Sequence, residues 1–382
     1  MALLADPQIR IVCLTVTEGG YNIDNVSGQF VADAEHLVHD RACLRRGDYL
    51  ELRTFFGLVT AALAERRAAG VAPFTVMSCD NIEGNGHVAA RTFRAFADSV
   101  DTELGQWVRE SVPFPNSMVD RITPETTDAD RSEVAARGYE DAWPVVSKDF
   151  AQWVLEDNFT AGCPAYEKVG VEVVTDVEPY ELMKLRLLNA SHQALCYFGY
   201  LSGYRLVHEV MADEAFRRFL LAYMEEATPT LRPVPGIDLD VYRRTLIERF
   251  GNRAVRDTVA RLCAETSDRI PKFLLPVVRE NLAAGRSVRL SAAIVASWAS
   301  YAEGVDEAGE PIEVVDRLAD QLTAAASRNR EDALAFVRDP DVFGHLAESV
   351  EVAEAYVDAL DSLHTVGGGG YGATVSGWVS RT

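Results

Sequence analysis

The chain is short of positive charge: lysine and arginine together number 37 against 58 acidic residues, a formal net charge of −21. A surface of that sign repels nucleic-acid backbones and anionic lipid, and argues against both as partners. Small phosphorylated or acidic ligands answer to local charge and stay open. Long apolar runs are missing too. No stretch of about 18 uncharged apolar residues occurs, and no basic segment leads into an apolar one near Met1. Neither a membrane span nor a secretion signal is therefore expected. The cysteines, Cys13, Cys43, Cys79, Cys163, Cys196 and Cys263, include no C-x-x-C pair. Several sit inside apolar runs and read as buried thiols of a reducing compartment, so the expected location is the cytoplasm.

Two chemical signatures are also missing. No G-x-G-x-x-G links a strand to a helix. Gly84-Asn85-Gly86 is too short, and the glycines at 367–370 lie in a tail with no strand before them. No metal-ligand set stands out either. His36 and His39 are spaced i, i+3, but Glu35 and Asp40 would point away from their helix face, leaving Cys43 as the one further ligand. His87, His345 and His364 are isolated. No metal is expected.

What remains is enough for two domains and a large core in 382 residues. Ile9–Val16 and Pro73–Cys79 are apolar, β-branched runs that read as buried strands. Between them lie a looser polar stretch to Asp48 and a helical pattern over Tyr49–Ala69 that stops at Gly70. A turn at Gly84–Gly86 leads into a helix to about Ser99, and a short helix follows over Asp101–Ser111. This alternation predicts an α/β unit with parallel strands. Pro113 and Pro115 keep Val112–Ile122 extended. Asp128–Asp141 reads as an acidic surface segment or loop. Pro144–Leu155 and Val169–Thr175 read as edge strands. From Glu178 to Leu363 nearly every segment carries helical periodicity.

Within that helical part, Glu181–His192 (ELMKLRLLNASH) holds a lysine, an amide and an imidazole in one apolar run. At about 100° per residue, Glu181, Lys184, Asn189 and His192 fall within an arc of roughly 140°. Such an arc can face one cavity, with Leu185, Leu187, Leu188, Leu195 and Cys196 excluding water. Burial disfavours an ammonium, so the lysine pKa should fall, and a neutral lysine can take a proton from an alcohol. The same spacing also suits a half-exposed helix whose lysine snorkels to solvent.

Further segments narrow the choice. K-x-x-x-x-N-x-x-H, followed by the Gln193–Leu206 run and His208-Glu209, resembles the core of the mannitol dehydrogenase family of zinc-independent, long-chain polyol and sugar-acid dehydrogenases. Thr15–Tyr21 (TVTEGGY), Phe74–Asn81 (FTVMSCDN) and Phe114–Pro124 (FPNSMVDRITP) resemble family segments in the same order. So do Pro233–Asp238 and Pro271-Lys272-Phe273. The likeness covers nearly all of residues 8–360.

The pattern of elements predicts an α/β domain over 1–146, a mostly helical domain over 147–364 and a disordered glycine-rich tail over 365–382; the resemblance implies that the first is a truncated Rossmann-like domain and that the second carries the catalytic and substrate-binding residues. The family places its glycine-rich phosphate loop in an N-terminal strand–helix unit, with an acidic ribose-binding residue about 30 residues later. This chain is expected to begin near the family's middle Rossmann strands. A reading frame continuing upstream of Met1 is the first expectation. A shortened, non-catalytic protein that binds a sugar or a partner is the alternative.

The implied activity is NAD-dependent interconversion of a polyol and a ketose, of the D-mannitol/D-fructose type, with NADP open and no metal. The alternative within the family is reduction of fructuronate or tagaturonate. By the resemblance, Lys184 is the base, and Asn189 and Asn81 polarise the oxygen. His192 orients a hydroxyl and Glu181 carries the proton outward. Asn81 could equally be a turn former, His192 a core histidine, and Glu181 an ion-pair partner of Lys184. Asp120, Arg261 and Arg269 are the implied substrate contacts. Asp120 could instead pair with Arg121 or cap a helix. Arg269 stands where the family's mannitol enzymes carry a lysine, which shifts fine specificity. Arg249 and Lys272 are further basic candidates. Thr17 and Glu18 are candidate cofactor contacts just past a strand, or simply a turn closed by Gly19-Gly20. The partner is a small sugar alcohol or ketose, and the oligomeric state stays open, a monomer included.

Overall fold

The computed structural model describes residues 1–23, 29–121, 123, 126–147, 149–253, 255–365, 374 and 377–379, without the side chain of Glu18. Ile122 and Pro124 of the Phe114–Pro124 segment lie outside the described residues, as does most of the tail. The chain divides into two compact units, Met1–Glu181 and Leu182–Thr382.

The first unit runs α1 (Ala2–Ala5), β1 (Ile11–Leu14), α2 (Glu35–Arg46), α3 (Phe55–Ala68), β2 (Thr75–Ser78), α4 (Asn85–Val100), α5 (Thr102–Ser111), β3 (Ser117–Asp120), α6 (Asp128–Ala136), β4 (Gln152–Glu156) and β5 (Glu172–Val174). It ends inside α7 (Glu178–Met183). β1 and β2 pair in parallel, Ile11 opposite Thr75 through Leu14 opposite Ser78. All four β2 residues are buried, as a parallel strand covered on both faces requires. β3 pairs antiparallel with β4, and β4 parallel with β5. This pairing carries the chain beyond residue 146 into the first unit. The domain boundary expected at 146/147 therefore lies at 181/182. The core beneath the helices is aromatic: Phe56, Phe93, Phe96 and Phe114 are buried together.

Two helices depart from the sequence reading. The polar stretch before Asp48 contains α2, whose Leu37, Asp40 and Cys43 form one buried face. Asp40 earns its burial as an acceptor at the start of α3, taking the Arg53 N–H at 2.9 Å, the Thr54 N–H at 2.8 Å and the Thr54 hydroxyl at 2.6 Å. The acidic segment after 127 contains α6, opened by a reciprocal cap between Thr127 and Asp130.

Gly86, at the start of α4, permits a close approach. A Cβ there would lie 2.5 Å from the Pro115 carbonyl carbon and oxygen. Gly86→Ala is expected to destabilise the fold by about 3 kcal/mol, read as a lowered urea midpoint, because backbone must move to admit the methyl group.

The second unit is helical. A π-helical turn (Lys184–Asn189) follows α7 directly. The later helices are α8 (Ala190–Leu201), α9 (Val207–Ala212), α10 (Glu214–Ala227), α11 (Leu239–Phe250), α12 (Val259–Cys263), α13 (Thr266–Phe273), α14 (Leu275–Ala283), α15 (Arg289–Ala302), α16 (Ala319–Ala326), α17 (Pro340–Phe343) and α18 (Val350–Thr365). α15 is buried from Leu290 to Ala302 and packs on α8 and α18. Its first turn is held by Glu226, which accepts the Leu290 and Ser291 N–H groups at 2.9 and 2.8 Å. Trp378 is buried with its ring on Phe198 and Phe219, centroids 5.5 and 6.1 Å away. At that residue the chain departs from the disordered tail expected of 365–382.

Candidate active site

In the first unit the expected residues gather where β1 and β2 end. The Cys79 N–H bonds the Leu14 carbonyl, so the segments 15–17 and 79–81 leave the same carboxyl edge. Open α/β sheets bind ligands at that edge. Asp80 is the organiser. It is buried, and its Oδ1 accepts the Val16 and Thr17 N–H groups at 2.8 and 2.9 Å. Its Oδ2 accepts the Tyr21 hydroxyl at 2.6 Å. Thr17 adopts φ 67°, ψ 168°, a region close to glycine-only, and the Asp80 bonds hold it there. Burial, reinforced by the Asp80 carboxylate, keeps the Tyr21 phenol well above the usual tyrosine range, so it stays a donor. Asn81, next to Asp80, is exposed. The Glu18 backbone begins a 3₁₀ turn (Glu18–Tyr21), and its side chain lies outside the described residues.

Asn85 links this edge to β3. Its amide donates to the Asp80 carbonyl at 3.0 Å and to the Ser117 carbonyl at 2.7 Å, and it accepts the Ser117 N–H at 2.9 Å. Asn116 is fixed by Glu156, which accepts its backbone N–H at 2.8 Å and its amide at 2.9 Å. These bonds seat the strand that ends in Asp120, which is buried at 5% exposure. Glu181 is buried as well, and both its carboxylate oxygens lie 3.0 Å from the Gly84 N–H at the head of α4. The carboxylate thus sits at the positive end of a helix.

Burial, followed by the charge of Cys13, pushes the Cys79 thiol up to about 11. Only the thiolate alkylates, so at pH 8 Cys79 is expected to react about 100-fold more slowly with iodoacetamide than an ordinary thiol. A mass-spectrometric time course reads this.

In the second unit Lys184 and Asn189 open and close the π turn. The Ala190 N–H bonds the Leu185 carbonyl, five residues back. Bonding at i+5 puts residues five apart one turn from each other on a common face, where α geometry would separate them by about 140°. Lys184 is buried, 8% exposed. Asn189 is half-buried, and its side chain caps no backbone N–H of α8. His192, the third residue of α8, lies with its ring 4.8 Å from that of Phe250.

The basic candidates are more dispersed. Arg261 is 53% exposed along its side chain and makes a two-pronged pair with Asp257 at 2.8 and 2.7 Å. Arg269 is half-buried and donates to the Arg261 and Leu262 carbonyls at 3.2 and 3.1 Å. Lys272 is exposed and Arg249 half-buried. His39 bonds the Glu51 carbonyl at 2.9 Å and His36 the Asn22 amide at 2.9 Å. No cluster of three or more metal-ligating side chains occurs among the described residues. No helix of the described residues is long and apolar enough to cross a membrane.

Asp80, Asn85 and Tyr21 were not picked out by sequence reading. Asp80 was visible there only as turn chemistry beside Asn81. Arg186 was missed too, although an arginine inside Leu185–Leu188 is a signal that something buried must accept its protons.

A Rossmann-like unit and a helical unit bearing a buried lysine, an amide and an imidazole along one helical run define the build of a two-domain, long-chain dehydrogenase fold. Residues 1–168 match the mannitol dehydrogenase Rossmann domain and residues 176–364 the mannitol dehydrogenase C-terminal domain. The chain belongs to the mannitol dehydrogenase family. It is 41% identical over 373 residues to a mannitol 2-dehydrogenase of Phaeosphaeria nodorum, covering 96% of this chain and 64% of that protein. It is also 41% identical over 349 residues to one of Aspergillus fumigatus, covering 90% of this chain and 69% of that protein. The chain thus spans about two thirds of the length of these relatives. Among solved structures it resembles Pseudomonas fluorescens mannitol 2-dehydrogenase in ternary complex with NAD and D-mannitol. There the identity is 44% and the TM-score 0.80, over all of this chain and 75% of that one. A substrate-free D-sorbitol dehydrogenase follows at 34% identity and TM-score 0.85, over 98% of this chain and 76% of that one.

Proposed function

We propose that the chain is an NAD-dependent polyol dehydrogenase of the cytoplasm that interconverts D-mannitol and D-fructose with Lys184 as general base. The observation that carries this reading is the π turn, which puts a buried lysine and a half-buried amide on one face. The named relatives support the substrate class.

Neutral Lys184 takes the hydroxyl proton, since burial disfavours the ammonium form. The amides of Asn189 and Asn81 donate to the oxygen as charge develops on it, a role suited to fixed neutral donors. His192 bonds a second hydroxyl and orients the chain of the polyol. Glu181 passes the proton outward. Asp120 and Arg269 meet the remaining hydroxyls, and Arg261 is the lesser contact because Asp257 already occupies it. Thr17 and Glu18 hold the nicotinamide side of NAD, which fits the loop that Asp80 fixes at the carboxyl edge of the parallel strands. When bound, NAD accepts the hydride. No metal takes part, because the lysine supplies the base.

A sugar acid would bring an extra carboxylate that wants an arginine. The pairing of Arg261 with Asp257 favours the polyol over fructuronate or tagaturonate. The test is NADH formation from NAD and D-mannitol in EDTA, with NADH consumption by fructose and by fructuronate as parallel arms. Turnover of mannitol and fructose is expected. Consumption of fructuronate with fructose silent would make the chain a sugar-acid reductase. Binding of D-mannitol without any turnover would make it a binding protein.

A further inference from the structure

We propose that Tyr223 and the Arg186–Glu280 pair are positioning residues that hold the π register of Lys184–Asn189 and so set the face that Lys184 shares with Asn189. The inference rests on the reading of Lys184 as the base.

A π turn holds one residue more than an α turn and is rare for lack of intrinsic stability, so contacts from outside the helix must favour it. Here such contacts converge on one residue of the turn. The carbonyl of Arg186 accepts the Tyr223 hydroxyl at 3.1 Å, from α10. The Arg186 guanidinium, whose side chain is 7% exposed, donates to the Thr230 carbonyl at 2.6 Å. It also bonds both carboxylate oxygens of Glu280 on α14, at 2.6 and 2.8 Å. Backbone and side chain of the same residue are therefore tied to separate segments.

Relaxing the turn to α register would rotate its residues on one side by about 100° relative to the other. Arg186 could not keep the Tyr223, Thr230 and Glu280 bonds through that rotation. Conversely, with those bonds gone, the ties that fix Arg186 to α10, Thr230 and α14 are lost, and an i, i+4 ladder can return. Lys184 and Asn189 would then diverge. Tyr223 is fully buried, and burial keeps its phenol protonated well above the usual range, so it remains a donor to Arg186 at every working pH.

Crystal structures of Tyr223→Phe and Arg186→Lys test the register, with Glu280→Gln as the variant least prone to misfold. Expected is an Ala190 N–H bonded to the Arg186 carbonyl, four residues back, in place of Leu185. The arginine variant keeps the cation but loses the two-pronged geometry, so it is not expected to rescue. A second readout is the titration of Lys184. The chain has four lysines, Lys148, Lys168, Lys184 and Lys272. Labelling with carbon-13 at Cε gives four titrations, and Lys184→Met identifies the one in question. If burial holds Lys184 neutral, its titration stands apart from the other three, and that separation is expected to change in the variants. A π turn intact in all three variants, with the Lys184 titration unmoved, overturns the proposal. A Lys184 that titrates with the other lysines from the outset overturns the base instead, and leaves the register result to be judged alone.

Discussion

Replacing Lys184 by methionine is expected to lower the rate of NADH formation from D-mannitol by about 10²–10⁴-fold, the usual worth of a positioned general base. Methionine keeps the length and apolar stem of the side chain and removes only the amine. kcat should therefore fall far more than any change in the urea midpoint accounts for. The rate–pH profile should also lose the limb that rises as the lysine loses its proton. Steady-state kinetics across pH, beside an unfolding curve, separate this result from simple loss of fold. A variant retaining more than about a tenth of the rate would take the base role from Lys184.

The second large effect falls on stability. Asp80→Ala is expected to cost about 2–4 kcal/mol, because it leaves the Val16 and Thr17 N–H groups without their acceptor and the Tyr21 hydroxyl with Ser78 Oγ as its one remaining partner among the described residues. Tyr21 is fully buried and cannot turn to water. The released Thr17 would leave its φ 67° conformation, so the loop proposed to meet the nicotinamide would lose its shape. A lowered urea midpoint together with weakened NAD binding is the expected pair of results. A lowered midpoint with NAD affinity unchanged would remove Thr17 from the cofactor contacts.

Much of this fold could be read from the chain itself. The β-branched runs became β1 and β2, and the apolar spacing after Tyr49 became α3, though it begins later, at Phe55. α2 was hidden because its buried face includes Asp40, a polar residue that counts against an apolar stripe until its acceptor role is seen. α6 exposes nearly everything, so its polar sequence looked like a loop, and only Thr127 and Asp130 announced it. The unit boundary was misplaced because strand pairing between β3, β4 and β5 is a non-local fact. The site divided in the same way. Lys184, Asn189 and His192 were legible as residue types in an apolar run. Their arrangement was not, because a 3.6-residue period assumes the α ladder and the π turn breaks it. Nor did spacing point to Tyr223 or Glu280, which reach Arg186 from 37 and 94 residues away.

The central claim is that Lys184 removes the alcohol proton without help from a metal. The most direct measurement sets two midpoints side by side. One is the pH midpoint of kcat/KM for D-mannitol with NAD in EDTA, and the other is the carbon-13 titration midpoint of the Lys184 Cε in the same protein. The account predicts that they coincide, both below the range of an ordinary lysine near 10.4. Midpoints separated by more than about one unit, or activity abolished by EDTA, would contradict it.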